Sequence, residues 1–409
     1  MGRFERIAVM PAAFALLATA LVVSVASFAE EAGPAAPAAA PYGAWKHGPP
    51  ADANYFPIAV WLQDPKNAAK YKAAGFNMFI GLWKGPDEEQ LAALKAAGMP
   101  VICEQNEVGL RHKDDPAIVG WMHGDEPDNA QSLASGTGYG PPIPPEKIVA
   151  DYERLRAADP TRPVMLNLGQ GVAWDGWYGR GARTNRPEDY PEYAKGGDII
   201  SFDIYPVAHP KPEIQGKLWY VPRGVERLVK WTGGRKIVWN CIECTRIQSD
   251  RKAAPAQVRA EVWMSLISGS RGLIYFVHEW NPKFNEHALL DDPEMLAEVA
   301  ATNKQIHELA PVLNSPTARG GVAGFSVNGA GAARLPDDDK PRAMVRQHGG
   351  AIYVLAVGLS ATAKVTLEAP GAADGAAVEV IGEGRTLKVA GGRFDDDFGA
   401  YAVHLYRIK

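Results

Sequence analysis

The feature that most constrains this chain is an eightfold alternation of short apolar runs with amphipathic stretches, which begins at Phe56. Such alternation is typical of βαβ units, in which each strand is followed by a helix that packs on a parallel sheet. Most of the runs are apolar on both faces, as expected of strands that lie between a barrel interior and a ring of helices. The eight predicted strands are FPIAVWLQ, FNMFIGLW, MPVICEQ, IVGWMHGDE, PVMLNLG, DIISFDIYP, KIVWNCIE and GLIYFVHEW.

The stretches between these strands read as helices that open with Pro or acidic residues and close with Gly, such as DEEQLAALKAAG. Eight units in about 270 residues predict a closed (β/α)8 barrel rather than an open doubly wound sheet. No G-x-G-x-x-G or Walker motif follows the first strand, so nucleotide binding has no support.

The chain divides into four predicted parts. Residues 1–29 combine a basic start, an apolar run and small residues at a cleavage site, and they predict a secretory signal peptide. Residues 30–41 form an Ala/Pro-rich linker, 42–316 the barrel, and 317–409 a small antiparallel β-sandwich with frequent turn signals. The protein is therefore expected to be exported to the periplasm or outside the cell, and to associate with a membrane only if the signal segment is not cleaved. The sandwich could be a carbohydrate-binding module, but we favour a domain that packs beside the barrel.

Charge and cysteine content exclude several classes of protein. A formal net charge of −4 and a pI near 6.2 provide no basic surface for nucleic acid, which is not expected as a partner. Three cysteines imply no disulfide framework. Cys241 and Cys244 have C-x-x-C spacing, but no further ligands cluster nearby, which favours buried cysteines over a zinc site. The early strands contain no H-x-H, and no G-x-S-x-G elbow occurs, so neither a metal nor a serine nucleophile is predicted.

Barrel enzymes place their catalytic groups at the carboxyl ends of the strands. Here those positions are rich in carboxylates, amides and aromatic rings and lack clustered cations, which favours a neutral, polyhydroxylated ligand such as an oligo- or polysaccharide. The candidate site residues are Trp61, Trp83, Glu104, Asp125, Glu126, Asn167, Asp203, Tyr205, Glu243, His278, Glu279 and Trp280.

Hydrolysis of a glycoside requires one carboxylic acid and one carboxylate across a cleft. Glu126 ends the fourth predicted strand and Glu243 the seventh, so the two are expected to face each other over a bound sugar. A separation of about 5–5.5 Å between the carboxyl groups would give retention, and about 6.5–9.5 Å inversion. Glu279 is the main rival nucleophile, followed by Glu104 and Asp203. Alternatively, Glu243 could form an ion pair with Arg246.

These residues resemble the clan A glycoside hydrolases, which have an acid/base at the end of strand 4 and a nucleophile at the end of strand 7. Glu126 stands in Gly-Asp-Glu-Pro, although Asp125 replaces the usual Asn. The resemblance implies that Tyr205, in Asp-Ile-Tyr-Pro, bonds the nucleophile and that Trp280 forms the floor of the sugar subsite. The strand 2 Arg common in the clan is missing, and Lys84 is the nearest cation. The C-terminal region is similar to the β-domain that follows the barrel in relatives of family 42 β-galactosidases.

The sequence thus predicts an exported, retaining glycoside hydrolase with Glu126 as acid/base and Glu243 as nucleophile, while the other candidates bind sugar. No cofactor is expected, because the two carboxylates supply acid, base and nucleophile. The alternatives are a non-catalytic glycan-binding barrel and a lyase or transglycosidase on the same fold. Two long segments, Asn129 to Pro145 and Trp174 to Pro191, are expected to wall the cleft.

Overall fold

The computed structural model describes residues 41–316, 325–328, 340–358 and 360–409. The predicted signal peptide and all of the predicted linker except its last residue lie outside the described residues. Within the predicted sandwich, the described residues are 325–328, 340–358 and 360–409, and they form the two antiparallel sheets reported below.

A parallel sheet curls into the predicted barrel. Its strand order is β7-β6-β5-β4-β3-β2-β1-β9-β8, in which β7 and β8 are two halves of one strand interrupted at Trp239. Because β7 pairs with β6 and β8 pairs with β9, this divided strand closes an eight-stranded barrel. The strands are β1 (Ile58–Trp61), β2 (Met78–Ile80), β3 (Val101–Glu104), β4 (Ile118–Met122), β5 (Val164–Leu168), β6 (Ile199–Phe202), β7 (Ile237–Val238), β8 (Asn240–Glu243) and β9 (Leu273–Phe276).

The barrel strands are buried on both faces, which explains their near-continuous apolar sequence. Alternate side chains fill the barrel interior, including Ala59, Met165 and Trp239. The intervening side chains, such as Val60 and Leu166, pack outward against the helices. The two-sided burial leaves the strand ends as the places where polar side chains can meet a ligand.

The helices are α1 (Ala68–Ala73), α2 (Glu88–Ala97), α3 (Glu107–Arg111), α4 (Pro145–Ala158), α5 (Tyr190–Tyr193), α6 (Tyr220–Trp231), α7 (Pro255–Ile267) and α8 (Pro293–Leu313). Their ends follow the sequence signals. Asp87 and Gln90 form a capping box at the start of α2, and Gly98 ends it in the left-handed region at φ 60°. In the described part of the chain, no helix has the length and apolar character needed to cross a membrane.

The C-terminal region forms two antiparallel sheets packed face to face. One has the strand order β10-β13-β16 and the other β11-β12-β17-β14-β15. Apolar side chains from both, including Val354, Val365 and Phe394, form the core between them. The strands are β10 (Phe325–Asn328), β11 (Arg342–His348), β12 (Ala351–Val357), β13 (Ala363–Glu368), β14 (Ala377–Val380), β15 (Arg385–Lys388), β16 (Arg393–Phe398) and β17 (Val403–Ile408). The predicted (β/α)8 barrel with a C-terminal β-sandwich is confirmed.

The sandwich packs on the barrel through its five-stranded sheet. Met344, Leu355 and Leu405 join the apolar layer that also contains side chains of α7 and α8. Arg342 adds an ion pair with Glu226 of α6 at 2.7 Å. This contact agrees with the packing role that we favoured over a carbohydrate-binding module.

Candidate active site

A cavity of about 430 Å³ opens at the carboxyl ends of the barrel strands. Its polar lining comes from Asp125 and Glu126 after β4, Gln170 after β5 and Asp203 after β6. The remaining lining is mainly aromatic, as in many sugar and cofactor sites. The other lining residues are Trp61, Leu62, Trp83, Trp177, Tyr205, Ile247, Gln248, Phe276, His278 and Trp280.

Three carboxyl groups converge at this cavity. Glu126 and Asp203 are in hydrogen-bond contact, and Asp125 stands close enough to raise the pKa of Glu126. Asn167 holds Asp125 through a 2.9 Å hydrogen bond from Nδ2 to Oδ1, and Asn167 is itself fixed by Ser201, whose hydroxyl donates to its Oδ1 at 2.7 Å. The structure therefore brings together the acidic residues of strands 4 and 6.

The backbone at Glu126 is held in an uncommon conformation. Its φ is 44°, in the left-handed region that residues other than glycine rarely adopt. Such a conformation costs about 1–3 kcal/mol and is found preferentially at functional sites. The side chain is fixed as well, because Asn129 donates a 2.7 Å hydrogen bond to Oε2. Glu126 is thus presented to the cavity in one defined orientation.

Electrostatics separate the roles of the three acids. Desolvation raises the pKa of Glu126 well above its ordinary value, and the nearby carboxylates of Asp203 and Asp125 raise it further. Desolvation and Asp203 raise the pKa of Asp125 to about 7. Desolvation also raises the pKa of Asp203, but its hydrogen bond with Glu126 opposes this shift. In the contact pair, therefore, Glu126 keeps the proton and Asp203 is the more easily ionised member.

Two buried polar atoms at the cavity make no hydrogen bond of ordinary geometry with a described residue, although the two side chains that carry them lie close enough to affect each other's pKa. They are Oδ1 of Asp203 and the hydroxyl group of Tyr205. Both residues line the cavity. Leaving a buried polar atom unpaired is costly, so such atoms are expected to meet a ligand or water.

Aromatic rings form the opposite side of the cavity. Trp83 stacks on the His278 imidazole at 5.6 Å, and Trp280 stacks on Phe276 at the same distance between ring centroids. Trp83 and Trp280 remain 41% and 46% exposed, so their faces are available at the mouth. Trp61 is buried deeper in the same cavity. This wall provides apolar faces for the C–H groups of a sugar ring.

A second cavity of about 600 Å³ adjoins the first, and Asp125, Glu126 and Trp177 line both. The other residues that line it come from the segments 129–139 and 178–181. Both long segments expected to wall the cleft thus contribute to this second cavity. Asp125 and Glu126 therefore stand where the two cavities meet, and Asp203 lines the first cavity.

Glu243 does not lie where the sequence predicted. It is fully buried and does not line either cavity. The backbone N–H groups of Val207 and Ala208 donate to its two carboxylate oxygens at 2.6 and 2.7 Å, and its remaining neighbour is the Glu261 carboxyl group of α7. The expected pair of Glu126 and Glu243 across the mouth is therefore not formed. The suggested ion pair of Glu243 with Arg246 is not formed either, because Arg246 binds Glu279 at 3.0 Å.

Three more predicted residues lie around the cavities rather than in them. Glu279 is engaged by Arg246 at the rim, and Glu104 is exposed at the end of β3. Neither of them lines a cavity described above. Asn167 does not line the cavity, but it donates a hydrogen bond to Asp125, which does. The other aromatic and acidic candidates do line the first cavity.

Sequence reasoning missed several lining residues. Trp177 forms part of both cavities, and its Nε1 donates to Oδ1 of Asn129 at 2.7 Å. Gln170, by contrast, is one of the polar residues that the sequence offers at the carboxyl end of the fifth predicted strand; it lies in the first cavity, where its Oε1 meets Nε2 of His209 at 2.9 Å. Trp177 and Asn129 stand in the two long segments, and Gln170 follows strand 5. Their positions in the sequence indicate that they lie near the mouth of the barrel, but the sequence does not show which way their side chains point.

Among the described residues, no group of three or more His, Cys, Asp or Glu side chains is arranged to hold a metal ion. Cys103, Cys241 and Cys244 are all buried with free thiols. Burial raises the pKa of the Cys241 and Cys244 thiols well above the ordinary value. The C-x-x-C pair therefore belongs to the barrel core.

Comparison with solved structures supports this architecture. No family model matches the chain, and no curated protein sequence does. A catalytic mutant of a GH42 β-galactosidase from G. stearothermophilus is similar in structure, with a TM-score of 0.53, 10% identity, and coverage of 87% of this chain and 98% of that one. A variant of AmyP in complex with maltotriose has a TM-score of 0.51 and 10% identity, over 87% of this chain and 97% of that one. A putative α-galactosidase/melibiase from Bacteroides fragilis has a TM-score of 0.50 and 10% identity, over 87% and 80%. All three carry names of glycoside hydrolases or sugar ligands, in agreement with the predicted resemblance, and at this identity the likeness establishes the fold.

Proposed function

We propose that the protein is an exported glycoside hydrolase that cleaves O-glycosidic bonds of an oligo- or polysaccharide with retention of configuration. The observation that carries the proposal is the convergence of Asp125, Glu126 and Asp203 in one aromatic-walled cavity, with Asp125 and Glu126 at its junction with a second cavity. The structural neighbours named as glycosidases share this fold and agree with the proposal. Export rests on the signal-like sequence of residues 1–29.

Glu126 suits the role of general acid/base. A carboxyl group must be protonated to donate to the leaving oxygen, and desolvation together with the neighbouring carboxylates raises the pKa of Glu126 in the direction that favours the protonated form. Asp125 contributes to that shift by its negative charge. We assign the role of nucleophile to Asp203 in place of Glu243, because Asp203 lines the cavity in contact with Glu126, whereas Glu243 lines neither cavity.

Glu126 gives its proton to the glycosidic oxygen while that oxygen leaves the anomeric carbon, and Asp203 forms a bond to the same carbon. Water then attacks the anomeric carbon, its proton passes to Glu126, and the bond to Asp203 breaks. The contact of Glu126 with Asp203 is shorter than the separation of about 5–5.5 Å in retaining enzymes and of about 6.5–9.5 Å in inverting enzymes, so the two groups must separate when a sugar enters. Retention is proposed from the resemblance to the clan A enzymes.

The test is hydrolysis of a panel of aryl glycosides and glycans by the protein without residues 1–29. Glu126→Gln and Asp203→Asn are expected to lower kcat by about 10³-fold or more while the folded state and sugar binding remain. Glu243→Gln is the matched control: because Glu243 lines neither cavity, this variant should keep kcat within about twofold at temperatures where thermal melting shows it to be folded, even though its stability is lowered.

Full activity in Glu126→Gln or Asp203→Asn would contradict the assignment. If the wild-type protein binds glycans but hydrolyses none, it is a glycan-binding barrel and the proposed enzymatic activity is wrong. An unsaturated or transferred sugar among the products would indicate a lyase or a transglycosidase instead.

A further inference from the structure

We propose that the second cavity binds the leaving-group sugar, so that the substrate is a neutral glycan with at least one sugar on each side of the cleaved bond. This inference rests on the proposed function. It adds the location of the leaving group and the class of substrate that the site accepts.

The first argument is position. Asp125 and Glu126 line both cavities, so a chain that extends from one cavity into the other passes directly over them. The first cavity contains Asp203 and the aromatic wall, which suits the sugar that is attacked. The second cavity begins at Glu126, from which the leaving oxygen must receive its proton.

The second argument is that the cavity is preformed. Ala130 N donates to Gly179 O at 2.8 Å, which joins the two long segments that wall it. Buried Asp128 anchors the same region, because it accepts from Gly169 N and from the Tyr190 hydroxyl at 2.9 Å each. Such a wall does not have to be ordered when the ligand binds, which preserves binding free energy.

The third argument is the chemistry of the lining. Tyr139 and Tyr178 expose 75% and 53% of their surface, so their rings are available to stack on the C–H face of a sugar. Gln131 and Ser132 add amide and hydroxyl groups that can bond sugar hydroxyls. The lining itself contains no Lys or Arg and no carboxylate besides the two shared acids, and the Lys211 ammonium group stands 5.0 Å from the centre of the Tyr178 ring. An uncharged hydroxylated ring fits this surface better than an anionic group.

The fourth argument is a direct connection to the acid. Trp177 lines the second cavity and donates to Oδ1 of Asn129, while Nδ2 of Asn129 donates to Oε2 of Glu126. The wall of the second cavity therefore also orients the group that protonates the leaving oxygen. A sugar seated there would place its glycosidic oxygen beside Glu126.

The experiment compares two substrates of the same glycone, an oligosaccharide and the corresponding glycosyl fluoride. Fluoride is a single-atom leaving group and leaves the second cavity empty. For Tyr178→Ala, we expect the ratio of kcat/KM for the oligosaccharide to kcat/KM for the fluoride to fall about tenfold or more, which corresponds to about 1.4 kcal/mol. The matched variant Trp83→Ala, in the first cavity, should lower kcat/KM for both substrates and keep that ratio within about twofold.

The two proposals fail in different ways. If the wild-type protein hydrolyses neither substrate, the proposed glycosidase activity is wrong. If it hydrolyses both and Tyr178→Ala leaves the ratio unchanged, the second cavity does not bind the leaving group. Thermal melting of both variants verifies that each is folded.

Discussion

The buried pair of Glu243 and Glu261 yields a prediction about stability. Glu261 is fully buried in α7, and both of its carboxylate oxygens lack a donor among the described residues. Its neighbour is the Glu243 carboxylate, to which it can hydrogen-bond only if it carries a proton itself. Burial raises the pKa of Glu261 well above its ordinary value, and the charge of Glu243 raises it further. The native protein therefore holds a proton between these two acids.

The sign of the pH dependence follows from that proton. An unfolded Glu loses its proton near pH 4.3, whereas native Glu261 keeps it to a higher pH. Burial also raises the pKa of Glu243 to about 7, so between about pH 4.3 and the native pKa values the pair binds one to two more protons than the unfolded chain. Stability therefore falls as the pH rises, by about 1.4 kcal/mol per pH unit for each of these protons. Glu261→Gln supplies the same N–H···O contact without a titrating proton. Its free energy of unfolding relative to wild type should therefore increase by about that amount per unit from pH 4.5 upward.

Glu243→Gln, in contrast, should lower the free energy of unfolding. Its amide nitrogen would face one of the two backbone N–H groups, of Val207 or Ala208, that now donate to the carboxylate. A buried donor left without an acceptor costs about 1–3 kcal/mol. Denaturant unfolding of wild type and both variants at pH 5, 6 and 7, followed by tryptophan fluorescence, measures these differences. A Glu261→Gln variant destabilised equally at every pH, or a Glu243→Gln variant as stable as wild type, would refute the reasoning.

Three further predictions concern the site itself. A Cβ at Gly169 would stand 2.9 Å from Oε1 of Glu126 and 2.8 Å from Oδ1 of Asn129. Because this contact would displace the Glu126 carboxyl group, Gly169→Ala should lower kcat by about 10²-fold with little change in Tm. An unchanged kcat would contradict the assigned position of Glu126. Asp125→Asn removes a charge that raises the pKa of Glu126, so the alkaline limb of the kcat/KM–pH profile should move to lower pH, and a stationary limb would show that Glu126 is not the acid. Trp177→Phe removes the N–H that orients Asn129, at about 1 kcal/mol, and should lower kcat/KM about fivefold; kinetics equal to wild type would show that this contact does not orient the acid.

Much of the architecture was predictable because the barrel repeats one pattern. Strands buried on both faces must be apolar. The ends of helices carry capping residues that can be recognised in the sequence, such as Asp87 and Gly98 at the two ends of α2. Since catalytic groups of a barrel lie at the strand ends, the sequence also placed Glu126, Asp203 and Tyr205 at one mouth. In the structure, these three residues line the first cavity.

The error over Glu243 has a physical origin. A position at the end of a strand does not determine which way the side chain turns. Here the strand is interrupted at Trp239, and the segment after β6 offers two free N–H groups, at Val207 and Ala208, that bind the carboxylate. The second partner, Glu261, lies in the following helix, and only the packing of α7 brings it close. Such contacts depend on three-dimensional register that a single sequence does not contain.

The orientation of the loop residues was unpredictable for a similar reason. Trp177 and Asn129 are 48 positions apart, and the hydrogen bond between them exists only because the two long segments fold against each other. Neither residue belongs to a periodic element that would fix its direction. The sequence could place these segments at the cleft, but it could not identify the side chains that reach Glu126.

The most direct test of the central claim is to trap the glycosyl-enzyme and locate the labelled residue. A 2-deoxy-2-fluoro glycoside with a good leaving group slows both steps of double displacement, and the sugar then accumulates on the nucleophile. Peptide mass spectrometry of the trapped protein should find the sugar on Asp203, and Asp203→Asn should remain unlabelled. A label on Glu243, or hydrolysis that proceeds without any labelled carboxylate, would contradict the assignment of the carboxylates after β4 and β6 as the catalytic pair.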